Sequence, residues 1–364
     1  MSERLRKLLI ERIVTEGPIT FADFMETALY DPEDGFYADS PIGADRHFVT
    51  SPHVSPAFGD LLARQLAQCW DALGRPERFD VVELGAGDGT LARQILRATA
   101  ASPELTRAIR YVGVERSPGA RAALTSAGLD AAPEAPDEIR GCVIANELLD
   151  NVPFHRLRER DGRVLEIFVG ADGGRLLEVE GEPTPEALAA AGAPFVPGEE
   201  RPVSPAALKL VDRLTRTLQR GYAFVFDYAF EPGRSTAPAH AYRDHRILAD
   251  VLEEPGSQDV TAAVDLAAVT ERASAAGLQA WGPVPQEQAL LALGFRLWAA
   301  GVRARQAEAE ARGDWRSANR LFSERSRAGL LVDPSNLGAL QLVVFATRDL
   351  PTPAAILGDP DRGC

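Results

Sequence analysis

Apolar positions along the chain fall into two rhythms. Leu5, Leu8, Leu9 and Ile13 recur at three- and four-residue steps and mark one face of a helix. Thr20 precedes Phe21-Ala22-Asp23-Phe24-Met25 and is placed to cap a second helix with its hydroxyl. Ala57 to Leu73 carries the same period as a long amphipathic helix, whereas residues 36 to 55 hold no period and read as a loop. Continuous apolar runs then predict buried strands near 80–84, 110–115, 141–145 and 222–227, with helices between them. Such alternation predicts an α/β fold built on a mostly parallel sheet with helices on both faces.

After Asn146 the alternation breaks. Arg163–Val169 and Arg175–Val179 predict a hairpin across Ala171-Asp172-Gly173-Gly174. Residues 183–205, rich in Pro, Gly, Glu and Ala, predict an exposed connection with one short helix. Helices from about 285 to 325 form a second insertion, and Leu340–Phe345 closes the sheet as a strand. The chain divides accordingly into an N-terminal helical cap over 1–75 and a core over 76–350. The core carries insertions at about 155–204 and 285–330, and a flexible tail spans 351–364.

The first core strand runs into a glycine turn, Val81-Val82-Glu83-Leu84-Gly85-Ala86-Gly87-Asp88-Gly89-Thr90-Leu91. Three glycines at alternate positions strip side chains from the turn, so backbone can approach a ligand closely. Leu91, Ile95 and Leu96 continue at helical spacing, which starts a helix near Gly89. A ligand would lie across that helix start and the strand's carboxyl end. The spacing Gly85-x-Gly87-x-Gly89 is not the G-x-G-x-x-G of dinucleotide enzymes, and no Gly-Lys-Ser/Thr follows. With Glu83 ahead of it, the turn resembles motif I of class I S-adenosylmethionine-dependent methyltransferases. A carboxylate beside the turn suits a ligand with a sulfonium and an amino group and opposes a pyrophosphate. The second strand, Arg110–Glu115, ends in an acid where ribose hydroxyls would be met. Arg116 follows it at the same edge.

Charge narrows the partners. The formal net charge is −14, which argues against a nucleic-acid substrate, although a local basic patch is compatible with it. Three scattered cysteines imply no disulfide framework, and the histidines and cysteines lack paired metal-ligand spacing, so no metal is expected. No apolar stretch approaches the ~20 residues of a membrane span. The N-terminus runs into an amphipathic helix, which predicts a cytoplasmic protein. High Ala, Arg, Gly and Pro with little Lys points to a GC-rich bacterial genome.

Five segments together resemble the MidA-like methyltransferases, whose mitochondrial members act on protein arginine in complex I assembly. They are Leu29–Tyr37; His47–Pro52 with Phe58–Leu62; the glycine turn; Ala145-Asn146-Glu147-Leu148-Leu149-Asp150-Asn151-Val152-Pro153-Phe154; and Asp227-Tyr228 with Tyr242–His245 and Pro255–Thr261. The resemblance covers roughly residues 17 to 345. It implies a class I, Rossmann-like methyltransferase fold with an N-terminal helical cap and an inserted substrate-recognition region. It also implies S-adenosylmethionine as cofactor and a loop around Thr50 and Pro52 that covers it. One departure stands out: the family loop carries acids where His47 and His53 stand here, which lowers the negative charge near a cationic acceptor.

These readings name the candidate residues. For the cofactor they are Thr50, Pro52, Glu83, Gly85, Ala86, Gly87, Asp88, Gly89, Glu115, Arg116 and Asn146. For the acceptor they are Glu147, Asn146, Asp150, Asp227 and Tyr228, at strand ends where this fold binds its acceptor, with His53 and His155 as further bases. An arginine acceptor stays protonated, so carboxylates must clamp it and take its proton. Asn146-Glu147-Leu148-Leu149 lacks the Asp/Asn-Pro-Pro-aromatic run of nucleobase and glutamine methyltransferases. Gln258, Asp259 and Thr261 read equally as a lid edge or as a polar turn and helix cap. The expected partner is a protein or small-molecule methyl acceptor, without nucleic acid or membrane, and a homodimer is compatible. The leading function is methylation of a protein side chain, arginine nitrogen by resemblance. The alternatives are an N- or O-methyltransferase of small molecules or peptides in bacterial secondary metabolism, and a non-catalytic assembly factor.

Overall fold

The computed structural model describes residues 2–38, 50–233, 239–243, 246–248 and 250–358. His47, Phe48 and Val49, and likewise Asp244 and His245, lie outside the described residues.

Seven strands form the central sheet: β1 (Phe79–Leu84), β2 (Ile109–Val114), β3 (Asp130–Ala132), β4 (Ile139–Asn146), β5 (Leu218–Asp227), β6 (Gln279–Pro285) and β7 (Gln341–Ala346). Their order is β6-β7-β5-β4-β1-β2-β3. Strands β1 to β5 pair in parallel, and β7 runs antiparallel between β5 and β6. The chain therefore leaves β1 toward β2 and β3 on one side and resumes at β4 on the other. The crevice at the carboxyl ends of β1 and β4 is the switch point where open α/β sheets bind ligands.

Alternate side chains of each strand enter two cores. Val81 and Cys142 join helices α3 (Ala57–Ala72) and α4 (Thr90–Thr99) on one face. Val82 and Val143 join α5 (Pro205–Thr217) and α6 (Leu266–Ala275) on the other. A helix over Pro118–Ser126 follows β2 as expected, but β3 is an unpredicted strand between it and β4. Residues 133–138, which include Pro133 and Pro136, cross without a helix, since prolines this close leave no room for one. Residues 51–54, inside the expected loop, form a short helical turn.

The two helices α1 (Ser2–Glu16) and α2 (Phe21–Tyr30) cap the structure. Thr20 caps α2 as expected, its hydroxyl accepting from the Asp23 N–H at 3.0 Å. Leu8 is the exposed member of the predicted α1 face. The cap packs on a five-stranded antiparallel sheet from residues 19–20, 155–160, 163–172, 175–181 and 200–203. The predicted hairpin belongs to it, with 163–172 at its centre and 175–181 along an edge.

Two expectations fail here. The connection over 183–205 is not exposed throughout: Glu200–Val203 is a buried strand, and Arg201 is 1% exposed. Its guanidinium donates to Glu199 and to the Ala191, Ala193 and Pro194 carbonyls and lies over the Phe195 ring, so each of its three nitrogens has an acceptor. The tail does not fray from residue 351, because Ala355 is fully buried and its N–H donates to Gln65 at 2.9 Å.

Strands β1, β4 and β5 crowd one another at Asp80, Gly141 and Gly221. A Cβ at Gly221 would sit 1.8 Å from the Gly141 carbonyl oxygen, and one at Gly141 2.0 Å from that of Asp80. Gly221→Ala is expected to destabilise the protein by at least about 3 kcal/mol, read as a lowered urea midpoint.

Candidate active site

The glycine turn leaves β1 with φ of +71° at Gly85, +55° at Gly87 and +74° at Gly89. Only glycine takes such angles without strain. The turn is tied to the end of β2: the Gly85 N–H donates to the Val114 carbonyl at 2.9 Å, and the Gly87 N–H to Glu115 Oε1 at 2.7 Å. Burial raises the Glu115 carboxyl, opposed by the Gly87 and Arg116 N–H groups that donate to it. Gly85, Gly87, Glu115, Arg116 and Glu147 line one cavity of about 1090 Å³, which α2 borders through Tyr30 and Glu26. Arg116 closes that border, its guanidinium 4.3 Å from the Tyr30 ring centroid and paired with Glu26.

Several cofactor candidates lie behind the turn. Glu83 points into the core and accepts from the Tyr111 hydroxyl at 2.7 Å, and burial pushes its carboxyl up to about 8. It is therefore largely protonated near neutrality and does not line the cavity, contrary to the charge role expected of it. Ala86 is buried, and Gly89 packs on Leu124 and Leu129. Asp88 caps α4 through the Thr90 N–H and meets His53 Nε2 at 3.3 Å. His53 Nδ1 in turn lies 2.8 Å from the Thr50 hydroxyl. The Pro52 carbonyl accepts from Gln94 at 2.8 Å. These contacts seat Thr50, Pro52 and His53 against the glycine turn, so His53 serves the loop and is not aimed at the acceptor carboxylates.

Those carboxylates gather at the carboxyl ends of β4 and β5. Glu147 is held at φ +49°, a strained angle for a residue with a side chain, by its N–H to the Phe226 carbonyl at 2.8 Å. Its Oε1 accepts from the Ser51 N–H at 3.0 Å and from Asn146 Nδ2 at 3.1 Å. Asp227 accepts from the Leu149 and Tyr228 N–H groups. Asp259 accepts from the Tyr37 hydroxyl and from Asn151, each at 2.9 Å. Asp150 joins them and feels the charge of Asp227, Asp259 and Glu147. Burial pushes Glu147 and Asp227 up to about 7 and Asp259 to about 6, and raises Asp150 well above the usual carboxylate range. Asn146 Oδ1, Glu147 Oε2 and Asp150 Oδ1 are buried with no partner among the described residues. Burial also raises the Tyr228 phenol, and it faces Glu147 and Asp150.

The sequence reading thus found Glu147, Asp150, Asp227 and Tyr228 together, and left Asp259 between two readings. It missed Tyr37, Asn151 and Tyr30, whose hydroxyl donates to the Asn151 carbonyl at 3.0 Å. Their only mark was membership of the motif segments. His155 lines the same cavity, but its Nδ1 lies 2.6 Å from Glu166 in the inserted sheet.

A parallel sheet with a switch point, a glycine turn bound to an acid at the next strand and a polar cluster beside it define a class I, Rossmann-like methyltransferase. The sequence model of an S-adenosyl-L-methionine-dependent methyltransferase family matches residues 61–284, and the chain belongs to that family. It is 29% identical to the Drosophila melanogaster protein arginine methyltransferase NDUFAF7 homolog, over 92% of this chain and 82% of that one. It is 28% identical to human NDUFAF7, over 79% of this chain and 72% of that one. A Burkholderia thailandensis crystal structure bound to S-adenosyl-homocysteine superposes with a TM-score of 0.85 at 28% identity, covering 99% of this chain and 96% of that one. These agree with the MidA-like resemblance and with S-adenosylmethionine as cofactor; the chain is an enzyme. Among the described residues no helix is long and apolar enough to cross a membrane.

Gly87→Val is expected to lower S-adenosylmethionine affinity at least about a hundredfold, because a β-branched residue is strained at φ +55° and intrudes where the turn meets the cavity. Calorimetric titration of the folded variant reads this directly, and unchanged affinity would remove the turn from the cofactor site.

Proposed function

We propose that the chain transfers a methyl group from S-adenosylmethionine to an arginine side chain of a protein. The observation that carries this reading is the buried cluster Glu147, Asp150, Asp227 and Asp259, in which Glu147 Oε2 and Asp150 Oδ1 lack donors among the described residues. A guanidinium, always charged and carrying five N–H donors, is the cation that such oxygens fit. The naming of the curated relatives as protein arginine methyltransferases supports it.

The glycine turn fits the cofactor. It removes every Cβ from the cavity wall at Gly85 and Gly87 and sets Glu115 beside them. Gly85, Gly87 and Glu115 would hold the nucleoside part, and Asn146 with its free Oδ1 the amino-acid part. When bound, the cofactor supplies an electrophilic methyl carbon. The chain's own residues orient the acceptor and manage its proton. Glu147 and Asp150, through their unpartnered Oε2 and Oδ1, clamp the guanidinium, and an ionised carboxylate of the cluster takes the proton that the acceptor nitrogen sheds. Because each acid's pKa is raised, a bound cation stabilises its charged form, so acceptor binding releases protons near neutrality. A small-molecule acceptor is the second reading, favoured by the cover that α2 places over the cavity. The two buried free thiols, Cys69 and Cys142, fit a cytoplasmic setting.

Incubation with labelled S-adenosylmethionine and cell extract is expected to place label in protein that yields methylarginine on hydrolysis. Label confined to small molecules, or to lysine, would sink the arginine assignment. The KM for the acceptor is expected to rise as pH falls below about 7, where Glu147 and Asp227 take protons, with cofactor affinity steady. Stability runs the other way. Folded pKa values above the ordinary ~4 mean that the native state binds more protons, so stability falls as pH rises from about 4 to about 7. Asp150→Asn should therefore raise the melting temperature at pH 8 by about 2 °C while cutting methyl transfer at least about a hundredfold. A variant that loses stability at that pH contradicts the charge argument.

A further inference from the structure

Helices α7 (Phe295–Ala311) and α8 (Trp315–Ala328) form an antiparallel pair that does not line the cavity. The pair lies beyond residues 61–284, the part matched by the family model. Its charge opposes that of the chain. Residues 295–328 hold eight arginines and four acids, whereas the whole chain carries −14. Helix α8 buries Ala318 and Ala328. At 100° per residue its outward arc holds Trp315 and Phe322 along one edge and Arg316, Arg320 and Arg327 along the other. Trp315 is 64% exposed and Phe322 52%. The one acid within α8, Glu324, flanks the arginine edge of this arc, one turn from Arg320 and Arg327, and leaves three arginines against one carboxylate there.

Among the described residues many other arginines pair with carboxylates. Arg156 and Arg158 grip Glu178, Glu180 and Glu200, Arg213 reaches Glu134, and Arg272 reaches Asp212. Among the described residues Arg316, Arg320 and Arg327 have no carboxylate within ion-pair distance. Exposed tryptophan, phenylalanine and arginine side by side are the composition of interface anchors, and single-sign charge selects the opposite sign. We propose that this arc of α8 is a docking surface for an acidic, amphipathic segment of a partner protein. Acids of the segment pair with the three arginines, and its apolar side chains cover Trp315 and Phe322. A nucleic acid fits less well. Three arginines span about 17 Å of helix, and the field of a strongly acidic chain repels an extended polyanion. The proposal stands apart from the methyl acceptor, since it concerns a surface that does not line the cavity.

The test uses the full chain and a fluorescent synthetic helical peptide of 14 residues, the length of α8, with glutamates on one face and leucines on the other. Saturable binding is expected, weakened by salt and lost when glutamine replaces glutamate in the peptide. The triple variant Arg316→Glu, Arg320→Glu, Arg327→Gln should weaken it at least about tenfold, and so should the double variant Trp315→Ala, Phe322→Ala. S-adenosylmethionine affinity and melting temperature should hold in both, which separates a lost surface from a lost fold. No saturable binding, or binding that survives the triple variant, overturns the proposal. Tighter binding of a duplex DNA oligonucleotide or of anionic phosphatidylserine vesicles overturns it in favour of those ligands.

Discussion

Carboxylates buried together, with no cation paired to them among the described residues, constrain this molecule more than any other feature. Taking an ionised carboxylate out of water costs several kcal/mol unless donors or a counter-charge replace the water. Four such groups lie together at the carboxyl ends of two central strands. The protein meets the cost in part by holding protons, as the raised pKa values of all four record. It meets the rest with donors from distant parts of the chain. Tyr37 comes from the segment after the N-terminal cap, Ser51 from the loop, Asn151 from the turn after β4, and backbone N–H groups from the strand ends. Cap, loop and small accessory strands are thereby drawn to one point of the sheet.

The second constraint is steric and sits one strand away. The glycine turn holds three positive φ angles and is fastened to Glu115. The crowding of Gly141 and Gly221 against neighbouring backbone keeps β1, β4 and β5 close. Since β1 carries the turn while β4 and β5 carry Glu147 and Asp227, their fixed spacing sets the distance between cofactor wall and acid cluster. Positioning of this kind is what a transfer reaction asks of a scaffold whose cofactor brings the reactive carbon.

Much of this was legible in the residues. Continuous apolar runs marked β1, β2, β4 and β5, because strands buried on both faces need no alternation. The glycine spacing and the acids after β4 and β5 marked both halves of the site. What stayed hidden has physical reasons. Strand β3 spans three residues, too few for a period. The strand around Arg201 was masked by its charged side chain, which only the folded contacts with Glu199 and three carbonyls make buriable. Glu83 seemed free to face a ligand, and only the placement of Tyr111 on the neighbouring strand shows that it points into the core. Tyr37 and Asp259 are 222 residues apart, and no local pattern joins them.

The contact between Ser51 and Glu147 has a consequence for how the loop can change over generations. The donor is a main-chain N–H, which every residue except proline supplies. Substitutions along the loop can therefore accumulate without severing its attachment to the site. Drift in loop chemistry and constancy of loop position are separable in this fold, so homologues can diverge in what the loop presents to a ligand while closing on the same carboxylate.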